Sequence, residues 1–265
     1  MAKLEYTFVS QLQPQEYEDL MDRGYRKFGM ACFRPVCEHC RKCRPIRVAV
    51  ERFHPDRSQR RAWRDSRQLQ VKLGDPQADE QRVALYNRYH LAQAFRKGWP
   101  AHETDAEEYA FTYLQPVGTD SQFQSRGEPV GTDSQFPNSR KLVSVPTFGA
   151  PVSVPAVEIS VWEGGVLRAV VLTDVTPNAI SAVYHYYEPK PVGTDSQSRL
   201  GSGLVSVPTG LGTFCVLQAI ELARRLKRPW VYLGYYVAGC ASMAYKARFL
   251  PNEIMDEGGL WNFRF

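Results

Sequence analysis

The pattern of apolar and polar positions marks three consecutive strand-like stretches in the second half of the chain, 157–162, 167–175 and 180–187. The period then changes. Over 213–226, Leu217, Ile220 and Ala223 fall on one side and Gln218, Glu221 and Arg225 trace a polar stripe, which predicts an amphipathic helix. A second strand-like run at 230–236 follows, then a helix carrying Met243. The first half is less regular. It holds a short extended run at 46–50 and a helix over 79–95, with Leu85, Tyr89, Ala92 and Phe95 near helical spacing. Strands and helices in this order predict an α+β fold.

Two stretches break the pattern. Pro-Val-Gly-Thr-Asp-Ser-Gln occurs from Pro116, from Pro129 and from Pro191, and Ser-Val-Pro occurs from Ser144, Ser153 and Ser206. Codons for Pro-Val-Gly-Thr-Asp, read as the reverse complement in a shifted frame, spell Ser-Val-Pro-Thr-Gly, the peptide at Ser206–Gly210. The two repeats are therefore expected to derive from one inverted DNA element. The segments of about 116–155 and 191–209 read as loop insertions rich in Pro, Gly, Ser and Thr. With them set aside, residues 1–110 form an N-terminal part and 111–265 a C-terminal part.

Composition narrows the class. A chain of 265 residues can bury a sizeable core. No uncharged apolar run reaches transmembrane length and no leader precedes the fold, so a soluble, cytoplasmic protein with no membrane partner is expected. The net charge of +5 is modest, but from Arg41 to Lys72 eleven Lys or Arg stand against three acids. One-signed clustering points to a polyanion partner. Cys37, Cys40 and Cys43 have the x2–x2 spacing of a zinc or iron–sulfur site, and a fourth ligand is needed to close one. Cys32 serves better than His39, which lies between two of the ligands. The five histidines are scattered, and His185 on its strand reads as a packed imidazole, not a base.

Four blocks carry a resemblance. Gly234–Pro251 reads GYYVAGCASMAYKARFLP; Arg34–Arg64 contains R-P-x-C-x-x-C-x-x-C-x-P-x-R followed by Arg57–Arg61; Asp174–Tyr187 and Gly210–Leu226 complete the set. In this order they resemble the aminoacyl-tRNA–protein transferases, the arginyl and leucyl enzymes of the N-degron pathway, and look most like the bacterial aspartate/glutamate leucyltransferase branch. The chain departs from that pattern at Cys240-Ala241-Ser242, where relatives often carry a basic residue, and it lacks a further upstream cysteine stretch. The resemblance implies a GNAT-like acyltransferase core in the C-terminal half, beside a smaller Cys-containing N-terminal domain. It also implies transfer of leucine or arginine from charged tRNA to proteins that start with Asp or Glu, marking them for degradation.

The chemistry then assigns expected roles. An aminoacyl ester is already activated, so the reaction requires no cofactor, although iron–sulfur or zinc at the Cys segment is compatible with it. Lys246, Arg248 and Arg34 are candidates for an acidic acceptor side chain, since a guanidinium can grip a carboxylate with two hydrogen bonds. Tyr186, Tyr235, Tyr236 and Tyr245 are candidates to wall the pocket. Arg57, Arg60, Arg61 and Arg64 are candidates for tRNA phosphates. Gly212 and Thr213 are as well, because they open a helix with free N–H groups. The competing readings are an acyl-CoA-dependent GNAT-type N-acetyltransferase and a non-catalytic metal-bearing RNA-binding module.

Overall fold

The computed structural model describes residues 3–9, 12–29, 31–114, 154–190 and 210–265; the repeat-derived insertions lie almost wholly outside them. A three-stranded antiparallel sheet comprises β1 (Leu4–Phe8), β3 (Ala31–Pro35) and β2 (Arg26–Phe28), in that order, with helix α1 (Pro14–Asp22) between the first two in sequence. The larger sheet has eight strands. From one edge to the other they are β11 (Trp261–Arg264), β10 (Asn252–Met255), β4 (Arg44–Ala49), β9 (Trp230–Tyr236), β8 (Ala179–Tyr187), β7 (Val166–Val175), β6 (Ala156–Glu163) and β5 (Gln70–Gly74). Every neighbouring pair is antiparallel except β8 and β9. The fold is thus α+β around a large mixed sheet, and β4 and β5, from before residue 110, lie in the same sheet as the later strands.

Central strand β7 explains the helix placement. Ala169 and Val171 on one face belong to the core cluster that contains α5 (Leu211–Arg225), while Val170 and Leu172 on the other pack with α3 (Glu80–Lys97). Burial on both faces is why this strand reads as a nearly continuous apolar run. Helix α3 is fixed at both ends: the Asp79 side chain accepts from the Arg82 N–H at 3.0 Å, and Gly98 closes it in the left-handed region. The Arg82 guanidinium also makes a buried fork with Glu158 on β6, at 2.8 and 2.9 Å from Nε.

Several elements had weak sequence signals. Helix α2 (Arg57–Asp65) buries only Gln59 and Ala62, so it shows almost no apolar period. Helix α4 (Ala106–Tyr113), β2, β10 and β11 are each eight residues or fewer. The expected Met243 helix is a single turn, α6 (Ala241–Ala244), continued as a 3-10 turn over Tyr245–Arg248. Fully buried Asn252 holds that turn, donating from Nδ2 to the carbonyls of Ala247 (3.1 Å) and Phe249 (2.9 Å).

Candidate active site

Parallel strands β8 and β9 are paired only where Ala179–Ser181 face Trp230–Tyr232. Val183 drops out of the β7 ladder, and past it the two strands part. Crevices beyond the carboxyl ends of parallel strands are natural ligand sites, and here the opening is a cleft of about 1270 Å³. Tyr184, His185 and Tyr187 line it from β8, Gly234 and Tyr235 from β9. The N-terminus of α5 enters from a third side, and α3, β2 and the 240–246 segment complete the wall.

Two glycines set the α5 entrance. Gly210 has φ +99°, and a Cβ there would lie 3.0 Å from Cβ of Ala62, so α2 and α5 abut at this point. A Cβ on Gly212 would stand 2.9 Å from the Tyr187 ring, which lies over the first turn of the helix. Among the described residues no side chain caps α5, and Gly212 and Thr213 both face the cleft. Across the α2–α5 contact, Arg57, Arg60, Arg61 and Arg64 occupy positions i, i+3, i+4 and i+7 of α2, one exposed helix face. Arg61 and Arg64 share Asp65 at 3.5 and 3.4 Å, which leaves the face strongly positive.

The cationic candidates separate. Lys246 lines the cleft and donates to the Tyr235 carbonyl at 3.0 Å. Burial, then the charge of Arg26, brings its ammonium down to about 8. Arg248, two residues on, points out of the cleft to Ser58 Oγ (2.6 Å) and Asp56 (3.3 Å) at the start of α2. Arg34 is committed to Glu5 at 2.5 Å and lies 4.7 Å over the Tyr25 ring, away from the cleft lining.

The tyrosines divide as well. Tyr235 and Tyr245 line the cleft, and burial pushes both hydroxyls up in pKa. Tyr186 instead is fully buried, its hydroxyl 2.6 Å from that of Tyr109, and Tyr236 packs against the main core cluster. Tyr184 and Tyr187 line the cleft where Tyr186 and Tyr236 were expected to. His185 also lines the cleft; burial, then the charge of Lys246, lowers it to about 4, so its neutral ring is a weak base. His90 on α3, likewise at about 4 through burial, is 2.8 Å from the Tyr184 hydroxyl.

The cysteines do not assemble as expected. Cys32 is 1% exposed within the cluster of Tyr17, Met21 and Tyr25, and burial pushes its thiol up to about 12. Cys37, Cys40 and Cys43 lie on the segment between β3 and β4, with Cys40 and Cys43 exposed. Burial raises the Cys43 thiol, and the neighbouring Cys40, Cys37 and Cys240 raise it further. Cys240, not Cys32, is therefore the fourth thiol near the trio. Among the described residues no group of three or more His, Cys, Asp or Glu is arranged to hold a metal.

Among the cleft cations that sequence reasoning missed are Arg26 and Lys27 on β2. No motif marks a three-residue strand. Lys27 is neutralised by Asp174 at 3.1 Å, whereas Arg26 faces no carboxylate in any described contact.

Known proteins resemble this chain along most of its length. Residues 1–61 match the family model described as arginine-tRNA-protein transferase, N terminus, and residues 81–202 and 206–256 match that for the C terminus of the same family. An aspartate/glutamate leucyltransferase of Halorhodospira halophila is 31% identical over 97% of this chain and 88% of its own length. Its counterpart in Methylobacillus flagellatus is 30% identical over 91% of this chain and 76% of its own length. Among solved structures, that of L-PGS from Bacillus licheniformis aligns with a TM-score of 0.44 at 11% identity, covering 97% of this chain; the chain spans 65% of that protein's length.

Proposed function

The chain belongs to the arginine-tRNA-protein transferase family, and from that premise we propose that it moves leucine from charged tRNA onto the α-amine of proteins that begin with Asp or Glu, marking them for degradation. The observation that carries this reading is the positive cleft at the parted strands, with the basic face of α2 beside its α5 entrance. Among the described residues six Lys or Arg line the cleft against one carboxylate, Glu188, which is itself gripped by Arg88 at 3.1 and 2.8 Å. A polyanionic tRNA end and an acidic acceptor both suit such a surface. The parting of β8 from β9 beside α5 supports a GNAT-like core.

In the reaction the acceptor nitrogen bonds to the ester carbonyl carbon. The carbon–oxygen bond to the terminal ribose then breaks, and the ribose oxygen leaves with a proton. The ammonium proton is shed first, which a free α-amine, with its ordinary pKa of about 7.7–8.0, does readily near neutrality. Catalysis then rests on holding the amine against the ester and on N–H donors for the oxyanion. Arg57, Arg60, Arg61 and Arg64 would guide the tRNA, Gly212 and Thr213 would meet its terminal phosphate, and Tyr235 and Tyr245 would wall the reacting groups. The residues leave a weak-base role at most for His185, and no step is assigned to a metal. Leucine is favoured over arginine because Glu188, the cleft's described carboxylate, is already spoken for. The reaction belongs in the cytoplasm, where charged tRNA resides; no described helix is long and apolar enough to cross a membrane.

Labelled Leu-tRNA and Arg-tRNA, each offered with Asp- and Glu-starting peptides, test the proposal. Transfer of leucine is expected. Transfer of arginine alone would overturn the donor, and transfer of neither would overturn the function. The α5 terminus would also suit a CoA pyrophosphate, and CoA binding without tRNA binding would favour the acetyltransferase reading.

A further inference from the structure

We propose that Arg26 and Lys246 together receive the acidic side chain of the acceptor's first residue, making Arg26 the second cation of acceptor selection. This inference rests on the aminoacyl-transfer reading above.

The two cations converge on adjoining peptide units at the end of β9. Arg26 Nη2 donates to the Gly234 carbonyl at 3.1 Å, and Lys246 Nζ to the Tyr235 carbonyl at 3.0 Å. Both line the cleft, and neither has a carboxylate within ion-pair distance among the described residues. Each therefore bears the repulsion of the other in a half-dry site, an arrangement that is costly until an anion enters.

Spare donors are present as well. Arg26 Nη1 is spent on the Tyr25 carbonyl at 2.6 Å, but its buried Nε–H has no partner among the described residues. Beyond the Tyr235 carbonyl, the described contact of Lys246 Nζ is the Met243 sulfur, a weak acceptor, at 3.5 Å. A carboxylate in reach of both would accept from one or two of these N–H groups, and such charge-assisted bonds are the strong ones.

The place favours a side-chain tip over a phosphodiester. Arg26 is only 6% exposed, held against the rings of Tyr232 and Tyr235 with centroids 5.2 and 5.5 Å from its guanidinium carbon. A terminal carboxylate can enter such a recess; a phosphate substituted on both sides has nowhere to run its chain. Exposed Arg96, Lys97 and Lys190 at the cleft serve the tRNA backbone better.

The experiment measures kcat/KM with Leu-tRNA for two peptides identical except for Asp or Asn at the first position. Wild type, Lys246→Met, Arg26→Gln and Arg26→Lys are compared, each with a thermal melt. The Asp-over-Asn ratio should fall at least about tenfold in Lys246→Met and in Arg26→Gln. That loss should come through KM for the Asp peptide, with KM for charged tRNA unchanged, and Arg26→Lys should keep more of the ratio than Arg26→Gln. Should Arg26→Gln fail to fold, Arg26→Lys and Lys246→Met read the same ratio. A preserved ratio in variants that melt like wild type overturns the proposal. So does an equal loss on both peptides, and a raised KM for charged tRNA assigns the pair to phosphates instead. If wild type transfers to neither peptide, the functional reading has failed. The site is then judged by calorimetry, where Asp-peptide binding no tighter than Asn-peptide binding refutes it.

Discussion

Replacing Lys246 with methionine should make the empty protein more stable at pH 7 and have no such effect at high pH. In the unfolded chain this lysine holds its proton up to a pH of about 10.5; in the native cleft it releases it near 8. Between those values the unfolded state binds more protons, so stability rises with pH. Below 8 the folded protein carries the whole cost of the buried ammonium. A depression from 10.5 to about 8 corresponds to at most about 3 kcal/mol, reduced where cleft water reaches the amine. Methionine keeps the length and loses both the charge and the hydrogen bond to the Tyr235 carbonyl, worth about 1 kcal/mol. The net gain should be about 1–2 kcal/mol at pH 7, or a few degrees in Tm for a chain of this size. Melts of both proteins at pH 7 and pH 10 measure it. Cys240 and His185 are the other titrating groups that interact with this amine, and both are common to the two proteins. A variant that is less stable at pH 7, or a difference that does not shrink by pH 10, would refute the reasoning.

Reversing charge at the exposed face of α2, Arg60→Glu with Arg61→Glu, should weaken tRNA binding and reduce the slope of log affinity against log salt by about one to two units; an unchanged slope would move the tRNA path elsewhere. For the cysteines, any zinc taken up in titrations against a chromophoric chelator should be lost in Cys40→Ser and Cys240→Ser and kept in Cys32→Ser, because Cys32 is enclosed in the core. Loss of zinc in a stably folded Cys32→Ser protein would reverse that assignment.

The strands and helices with sustained period were legible. Strands β6, β7 and β8 and helices α3 and α5 bury whole faces, so the code repeats often enough to be read. Lys246 was legible as a site candidate through its motif, but its likeness to Arg248 was misleading. Two cations two residues apart on a 3-10 turn point to different neighbours, one to β9 and one to α2. Tyr186 and Tyr187 are adjacent and go to opposite surroundings for the same kind of reason, strand alternation. Arg26 was invisible because its role depends on β2 lying against the end of β9, a contact between residues 208 positions apart.

Strand β4 lies between β9 and β10, bonded to Tyr236, Tyr232 and Trp230 on one side and to Asn252–Ile254 on the other. Arg47, at its centre, is sandwiched 4.2 Å from each of Trp230 and Trp261 and paired with Glu253. Both neighbours are made roughly 180 to 200 residues later than β4 itself. At a synthesis rate of about 5–20 residues per second, this strand waits on the order of ten seconds or more with neither edge paired. The nascent β4 is therefore an unpaired strand while the ribosome works, and the larger sheet closes only as the last strands emerge. A ribosome stalled before residue 230 would leave the product without the site's floor, so chemistry on other proteins begins only when this one has been finished.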